Sequence, residues 1–251
     1  MGTLDGKVAL VTGAGQGVGQ GIALALAAEG ARIAVSGRTA SKLDATVKLI
    51  EERGGEAIPI TCDVKDAASL AGMVDEVVER LGTIDILVNN AQEVPLGPLH
   101  GVTDEAFEAG WESGPLATFR LMKLCHPHLK DGGSIVNLAT AAAKRWDMSN
   151  YGCYAAVKEA IRSLTRAAAC EWAVDGIRTN AIVPLAKSPG LADWIEADPA
   201  EAEAYFETLP MRRVGDCEED IGRFVATLCG DSCAYVNGQS ISLDGGQAYM
   251  G

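Results

Sequence analysis

The sequence predicts a single α/β domain. Three observations carry this: short β-rich apolar runs alternate with longer stretches of helical periodicity, a glycine cluster follows the first run at once, and 251 residues suffice for one sizeable core. No linker, internal repeat or low-complexity tract divides the chain.

Residues 7–12, Lys-Val-Ala-Leu-Val-Thr, form the first expected strand, and Gly13, Gly15, Gly17 and Gly19 come directly after it. An apolar stretch without breakers then runs to Glu29 and Gly30, which predicts a helix closed by glycine. Strand, glycine turn and helix in that order make the first half of a nucleotide-binding unit. Glycine lets the backbone approach a pyrophosphate, and the helix N-terminus presents N–H groups with partial positive charge. The strict Gly-x-Gly-x-x-Gly spacing is absent, and the segment reads Thr12-Gly13-Ala14-Gly15-Gln16-Gly17-Val18-Gly19 instead. Residues 32–36 give the second strand, followed by Gly37 and Arg38. An acid near that point suits ribose hydroxyls, whereas an arginine suits a 2′-phosphate. Arg38 without an acid therefore favours NADP(H) as cofactor and leaves NAD(H) open.

Residues 41–53 read as a helix ended by Gly54 and Gly55, and residues 57–62 as a strand leading into Asp63 and Val64. Leu70, Met73, Val74, Val77, Val78 and Leu81 recur at helical spacing and mark a stripe that faces the core. Residues 84–88 are nearly all apolar, as a strand covered on both faces should be, and end in Asn89-Asn90-Ala91-Gln92. A helical pattern over residues 104–129 is interrupted by Ser113-Gly114-Pro115. There the proline removes a backbone donor, which predicts a kink and a freed carbonyl at Trp111. Residues 134–139 give the fifth strand with Thr140 at its end, a helix then runs to about residue 173, and residues 177–183 supply the sixth strand. Residues 184–213 hold Pro184, Pro189, Pro199 and Pro210 and are expected to be an irregular lid or binding loop, helical only around 202–209. A helix near 218–229 and a last strand at 240–243 precede Asp244-Gly245-Gly246.

The helix after the fifth strand carries the chemistry. Tyr154 and Lys158 stand four residues apart on one face, with about 6 Å of axial rise between them. An ammonium so placed favours phenolate and is expected to lower the Tyr154 pKa, making its hydroxyl usable for proton transfer. Tyr151 lies about 10 Å along the axis from Lys158 and is not the same acid. Tyr-x-x-x-Lys alone is a common pattern; the nucleotide-binding unit upstream is what gives it weight.

Composition bounds the partners. A hydrophobic fraction of 48% with 22% charged residues suits a soluble globule, and a net charge of −13 argues against nucleic acid or an anionic membrane. No apolar run approaches the roughly 20 residues of a membrane span, and the first residues lack the pattern of a secretory signal. Seven scattered cysteines without a Cys-x-x-Cys pair read as small core residues in a reducing compartment, the cytoplasm. The histidines His100, His126 and His128 have no zinc spacing, so no metal is expected.

Taken in order, Thr12-Gly13-x-x-x-Gly17-x-Gly19, Asp63-Val64, Asn89-Asn90-Ala91, Tyr154-x-x-x-Lys158, Asn180 before Pro184 and Asp244-Gly245-Gly246 resemble the short-chain dehydrogenase/reductase family over essentially the whole chain. The resemblance implies a Rossmann-like, doubly wound, seven-stranded and mostly parallel sheet with helices on both faces. It also implies a nicotinamide cofactor across the carboxyl ends of the strands, and a homotetramer or homodimer. By position it makes Tyr154 the general acid, Lys158 the holder of the nicotinamide ribose, and Thr140 the aligned counterpart of the family's serine. Gly13, Gln16, Gly17, Val18, Gly19, Arg38, Asp63, Val64, Asn90, Ala91, Pro184 and Ser188 would bind the cofactor together with Tyr154 and Lys158. The departures are Thr140 for serine, Gly114 for the asparagine of the proton relay, Gln92 for glycine and Leu185 for glycine. The carbonyl freed by Pro115, or the Ser113 hydroxyl, is expected to hold the relay water in the asparagine's stead.

The expected activity is reduction of a ketone or aldehyde, or oxidation of the secondary alcohol, by hydride transfer with Tyr154 as acid or base. Gln92, Glu93, Trp146 and Tyr151 with residues 185–213 would set the substrate. The replaced serine and asparagine keep one alternative in view, a nucleotide-binding partner or sensor with little turnover. A lyase or dehalogenase on the same fold is disfavoured because the glycine turn and Lys158 are both present.

Overall fold

The computed structural model describes residues 2–144 and 150–248. Its sheet has seven strands, all paired in parallel, in the order β3-β2-β1-β4-β5-β6-β7. They are β1 Val8–Thr12, β2 Arg32–Gly37, β3 Ala57–Thr61, β4 Ile86–Asn89, β5 Ser134–Leu138, β6 Arg178–Pro184 and β7 Ser240–Leu243. Between them lie α1 Gly17–Ala28, α2 Ala40–Glu52, α3 Ala67–Leu81, α4 Asp104–Trp111, α5 Ala117–Leu129, α6 Gly152–Glu171, α7 Pro189–Ala197, α8 Pro199–Thr208 and α9 Arg223–Cys229.

Alternate residues of β1 enter different cores. Ala9 and Val11 pack with α1, α2 and α9, while Val8 and Leu10 pack with α3 and α5. A strand covered on both faces must be apolar at every position, which is why β1 and β4 read as unbroken hydrophobic runs. The chain winds outward from β1 to β3, then returns to place β4 on the other side of β1. That reversal opens a crevice outside the carboxyl ends of β1 and β4.

One segment differs from the expectations. Residues 184–213 are not irregular: α7 and α8 occupy most of them, each with a proline in its first turn and a side-chain cap, Ser188 for α7 and Asp198 for α8. Proline breaks a helix interior but suits its first turn, where the missing N–H has no intrahelical partner. At Pro115, where a kink is expected, the irregularity takes a specific form. Residues Glu112–Leu116 form one π-helical stretch that joins α4 to α5, absorbing the lost donor by a longer turn.

A buried polar ladder fixes α6 against the sheet. The Asn89 amide donates to Asn137 Oδ1 at 2.8 Å, the Asn137 amide donates to Thr165 Oγ1 at 2.9 Å, and that hydroxyl donates to the Ile161 carbonyl at 2.8 Å. The ladder runs from β4 through β5 to the helix that carries Tyr154 and Lys158. On the other face α1 packs backbone to backbone against the π-helical stretch Cys217–Gly222: a Cβ at Gly21 would lie 2.3 Å from the Cys217 carbonyl. Gly21→Ala is therefore expected to lower the unfolding free energy by about 1–3 kcal/mol in urea melts, and an unchanged midpoint would show that the two segments part without cost.

Candidate active site

The glycine turn is braced from β4. The Thr12 hydroxyl donates to the Val88 carbonyl at 3.3 Å and accepts from the Asn90 and Ala91 N–H groups at 3.0 and 3.1 Å. The Asn90 amide donates to the Thr12 and Gly13 carbonyls at 2.8 and 3.1 Å. A Cβ at Gly13 would stand 2.6 Å from that amide nitrogen, and one at Gly19 2.4 Å from it, so neither position has room for a side chain. Gln16 caps α1 without a side-chain hydrogen bond to it, and the first turn holds no acidic residue. The N–H groups opening α1 thus have no side-chain acceptor among the described residues.

These elements wall a cavity of about 670 Å³. Gly13, Gln16, Gly17, Val18, Arg38, Asp63, Val64, Asn90, Ala91, Pro184 and Ser188 line it, with Gln92, Thr140, Tyr151, Tyr154 and Lys158. Gly19 does not: it lies behind the turn, where its value is close packing rather than exposure. The Ser188 hydroxyl accepts from the Leu191 N–H at 3.4 Å, so its first duty is to cap α7. Trp146 lies outside the described residues. Lys42, on α2, also lines the cavity and donates to the Gln16 amide oxygen; nothing in its sequence setting marked it.

Lys158 is 4% exposed, and its Nζ donates to the Leu138 carbonyl at 2.7 Å and sits 5.6 Å from the centre of the Tyr154 ring. Burial pulls the amine down to about 7. Burial pushes the Tyr154 phenol up to about 12, a hydrogen bond with the Thr140 hydroxyl opposes this, and Tyr151, whose ring centre is 6.2 Å away, adds to it. The expected lowering of Tyr154 by Lys158 is thereby corrected for the protein chain itself. Desolvation acts on both groups, and an amine near neutrality offers only a partial charge to its neighbour.

The expectation for Ser113 also changes. Its hydroxyl donates to the Ala109 carbonyl at 2.6 Å and accepts from the Glu93 N–H at 2.9 Å, which pins the chain leaving β4 to the π-helical stretch. The space beside Gly114 belongs to Gln92: a Cβ at 114 would lie 2.7 Å from Gln92 Nε2 and 3.1 Å from Val157 Cγ1. Both amide atoms of Gln92 are buried with no hydrogen-bond partner among the described residues.

A cleft of this construction places the chain among the doubly wound, nucleotide-binding oxidoreductases. A family model described as enoyl-(acyl carrier protein) reductase matches residues 13–248. A 12alpha-hydroxysteroid dehydrogenase of Clostridium sp. is 39% identical over 255 residues, covering 98% of this chain and 98% of that one. A solved short-chain alcohol dehydrogenase from Sinorhizobium meliloti, described as putative, superposes with a TM-score of 0.90 at 37% identity, covering 97% of each chain. A variant of actinorhodin polyketide ketoreductase solved with NADPH superposes with a TM-score of 0.90 at 32% identity, over 98% of this chain and 99% of that one. The chain belongs to the short-chain dehydrogenase/reductase family of oxidoreductases.

Two measurements follow from the site's energetics. An unpartnered buried amide costs about 1–3 kcal/mol, so Gln92→Met is expected to raise stability by about 1 kcal/mol or more while lowering turnover; lost stability would show that the amide is bonded in the folded protein. Lys158 stands at about 7 folded against 10.5 in its ordinary setting. Below that window both states hold the proton and the penalty of burying the charge is full. Within the window the unfolded chain keeps a proton that the folded chain has released, so stability rises with pH. Lys158→Met cannot titrate, and the stability difference should therefore move in the wild type's favour between pH 7 and about 9. A difference independent of pH would mean the amine keeps its ordinary pKa.

Proposed function

We propose that the protein is an NADP(H)-dependent carbonyl reductase, working in reverse as a secondary-alcohol dehydrogenase, on a ketone carried by a rigid polycyclic skeleton of the steroid class. The observation that supports this best is the junction of Thr140, Tyr154 and Lys158 in one cavity with the glycine turn. The hydroxysteroid dehydrogenase and the polyketide ketoreductase to which the chain is similar support the substrate class. Apolar groups in the cavity wall, among them Val94, Leu185 and Leu191, suit a hydrocarbon framework.

The residues fit a dinucleotide. Gly13 and Gly17, at φ of 65° and 59°, open the backbone toward the cavity, and the N–H groups at the start of α1 stand ready for a pyrophosphate. The bound nicotinamide would supply the hydride. Lys158, fixed by the Leu138 carbonyl, would hold the adjoining ribose, with Pro184 and Leu185 against the nicotinamide end. Tyr154 would donate its phenolic proton to the carbonyl oxygen as charge develops there, with the Thr140 hydroxyl as second donor. Thr140 accepts from the Ala142 N–H at 3.2 Å, which leaves its own O–H to point at phenol or substrate. A phenol held at about 12 keeps its proton at neutral pH, the form that a reduction needs.

The test is loss of reduced-cofactor absorbance with NADPH and a panel of steroid ketones, 12-oxo compounds included. Turnover with at least one is expected, and Tyr154→Phe should lower kcat by about 100-fold or more while leaving the NADPH dissociation constant within about twofold. Wild-type kcat in Tyr154→Phe would remove Tyr154 as the acid. Tight NADPH binding without turnover of any ketone would leave a binding protein instead.

A further inference from the structure

Two cationic side chains from separate segments meet on one carboxylate oxygen of Glu93, which lines the cavity with one of them, Arg38. Arg38 Nη1 lies 2.8 Å and Lys65 Nζ 3.1 Å from the same Oε1 of Glu93. Arg38 follows β2, Lys65 stands between β3 and α3, and Glu93 follows β4, so the contacts reach from one side of β1 to the other. The backbones beneath are fixed. The Glu93 N–H donates to Ser113 Oγ, the Lys65 N–H donates to Asp63 Oδ1 at 3.0 Å, and Arg120 donates to the Lys65 carbonyl at 3.2 Å.

The side chains themselves are loosely held. Arg38 is 61% exposed, Lys65 30% and Glu93 33%, and ion pairs this wet contribute at most about 1 kcal/mol each. Two cations share one carboxylate, which leaves one positive charge uncompensated within the trio. A phosphate monoester carries about −1.5 to −2 charges and three acceptor oxygens, and so matches the two cations better than the carboxylate does.

We infer that Glu93 is the resident occupant of the seat for a ribose 2′-phosphate. Its carboxylate holds Arg38 and Lys65 in place and must turn aside when the phosphate enters, and Lys65 is the second cation of that seat. Discrimination between phosphorylated and plain ribose is then a competition between two anions for the same pair of cations. The inference rests on the NADP(H) reading and deepens it: Glu93 limits the preference that Arg38 creates.

The experiment is calorimetric titration of the intact protein with 2′,5′-ADP and with 5′-ADP, so no carbonyl substrate or turnover is involved. Wild type, Glu93→Gln, Lys65→Met and Arg38→Met are compared, with thermal melts to confirm that each variant folds. Wild type should prefer 2′,5′-ADP. Glu93→Gln should bind it about fivefold more tightly and change 5′-ADP by less than about twofold, while Lys65→Met should weaken 2′,5′-ADP alone by about fivefold. If wild type prefers 2′,5′-ADP but neither substitution moves the ratio, this inference fails and the cofactor reading stands. If Glu93→Gln weakens 5′-ADP as much as 2′,5′-ADP, Glu93 is a ribose acceptor and the inference is overturned. Failure of the cofactor reading looks different: wild type would bind 5′-ADP at least as tightly, and Arg38→Met would leave both affinities where they were.

Discussion

A primary amine sits in the interior of this protein with one main-chain carbonyl, that of Leu138, 2.7 Å from its nitrogen. Burying an amine in this way is unfavourable, and the surrounding structure has to keep it there. Lys158 lies one turn beyond Tyr154 on α6, and α6 is registered against β4 and β5 by Asn89, Asn137 and Thr165. Hydrogen bonds in that ladder are directional where apolar packing is not. A slide of α6 along the sheet would leave buried amides without partners, so the position of the phenol is set by polar groups well below the cavity floor.

The same sheet also makes the cleft. Because β4 returns beside β1, the chain segments leaving these strands diverge, and Thr12 and Asn90 tie the gap together from both sides. Glycine serves two purposes along this edge. At Gly13 and Gly17 the left-handed backbone turns the chain toward the cavity, whereas at Gly19 and Gly21 the absent side chain lets backbones touch. Close packing behind the turn makes its open face rigid, and a rigid donor array needs little reorganisation to meet an anion.

The strands and most helices could be read from the chain because their signals are local: apolar runs for buried strands, periodic stripes such as Leu70 to Leu81 for helices. Most of the cavity wall was legible for a related reason, since strand ends and the glycine turn fall where the topology must bring them together. What escaped has physical causes. Composition does not separate a proline inside a helix from one in its first turn, so Pro189 and Pro199 look like breakers in the sequence. Asn137 and Thr165 sit in apolar segments, and nothing local says that they face one another. Lys65 and Glu93 meet across strands whose ends are far apart in sequence. The direction of the Tyr154 shift is not in the sequence, because spacing gives the distance to Lys158 but not the dielectric around it.

Charge is segregated along the cavity. Arg38, Lys42, Asp63 and Glu93 stand toward the turns after β1, β2, β3 and β4, whereas Thr140, Tyr151 and Tyr154 bring only hydroxyls and rings to the other side. Lys158 is the one ionisable amine there among the described lining residues, and burial already favours its neutral form. Among the described lining residues the carboxylates, Asp63 and Glu93, stand toward the other side, and burial is the main cause that pushes the Tyr154 phenol up. A group in that state is an acid before it is a base. The cavity is therefore asymmetric, with its charged side chains toward the turns of the first strands and desolvated hydroxyls on the opposite side, and that asymmetry is the electrostatic condition on which the proposed proton donation by Tyr154 rests.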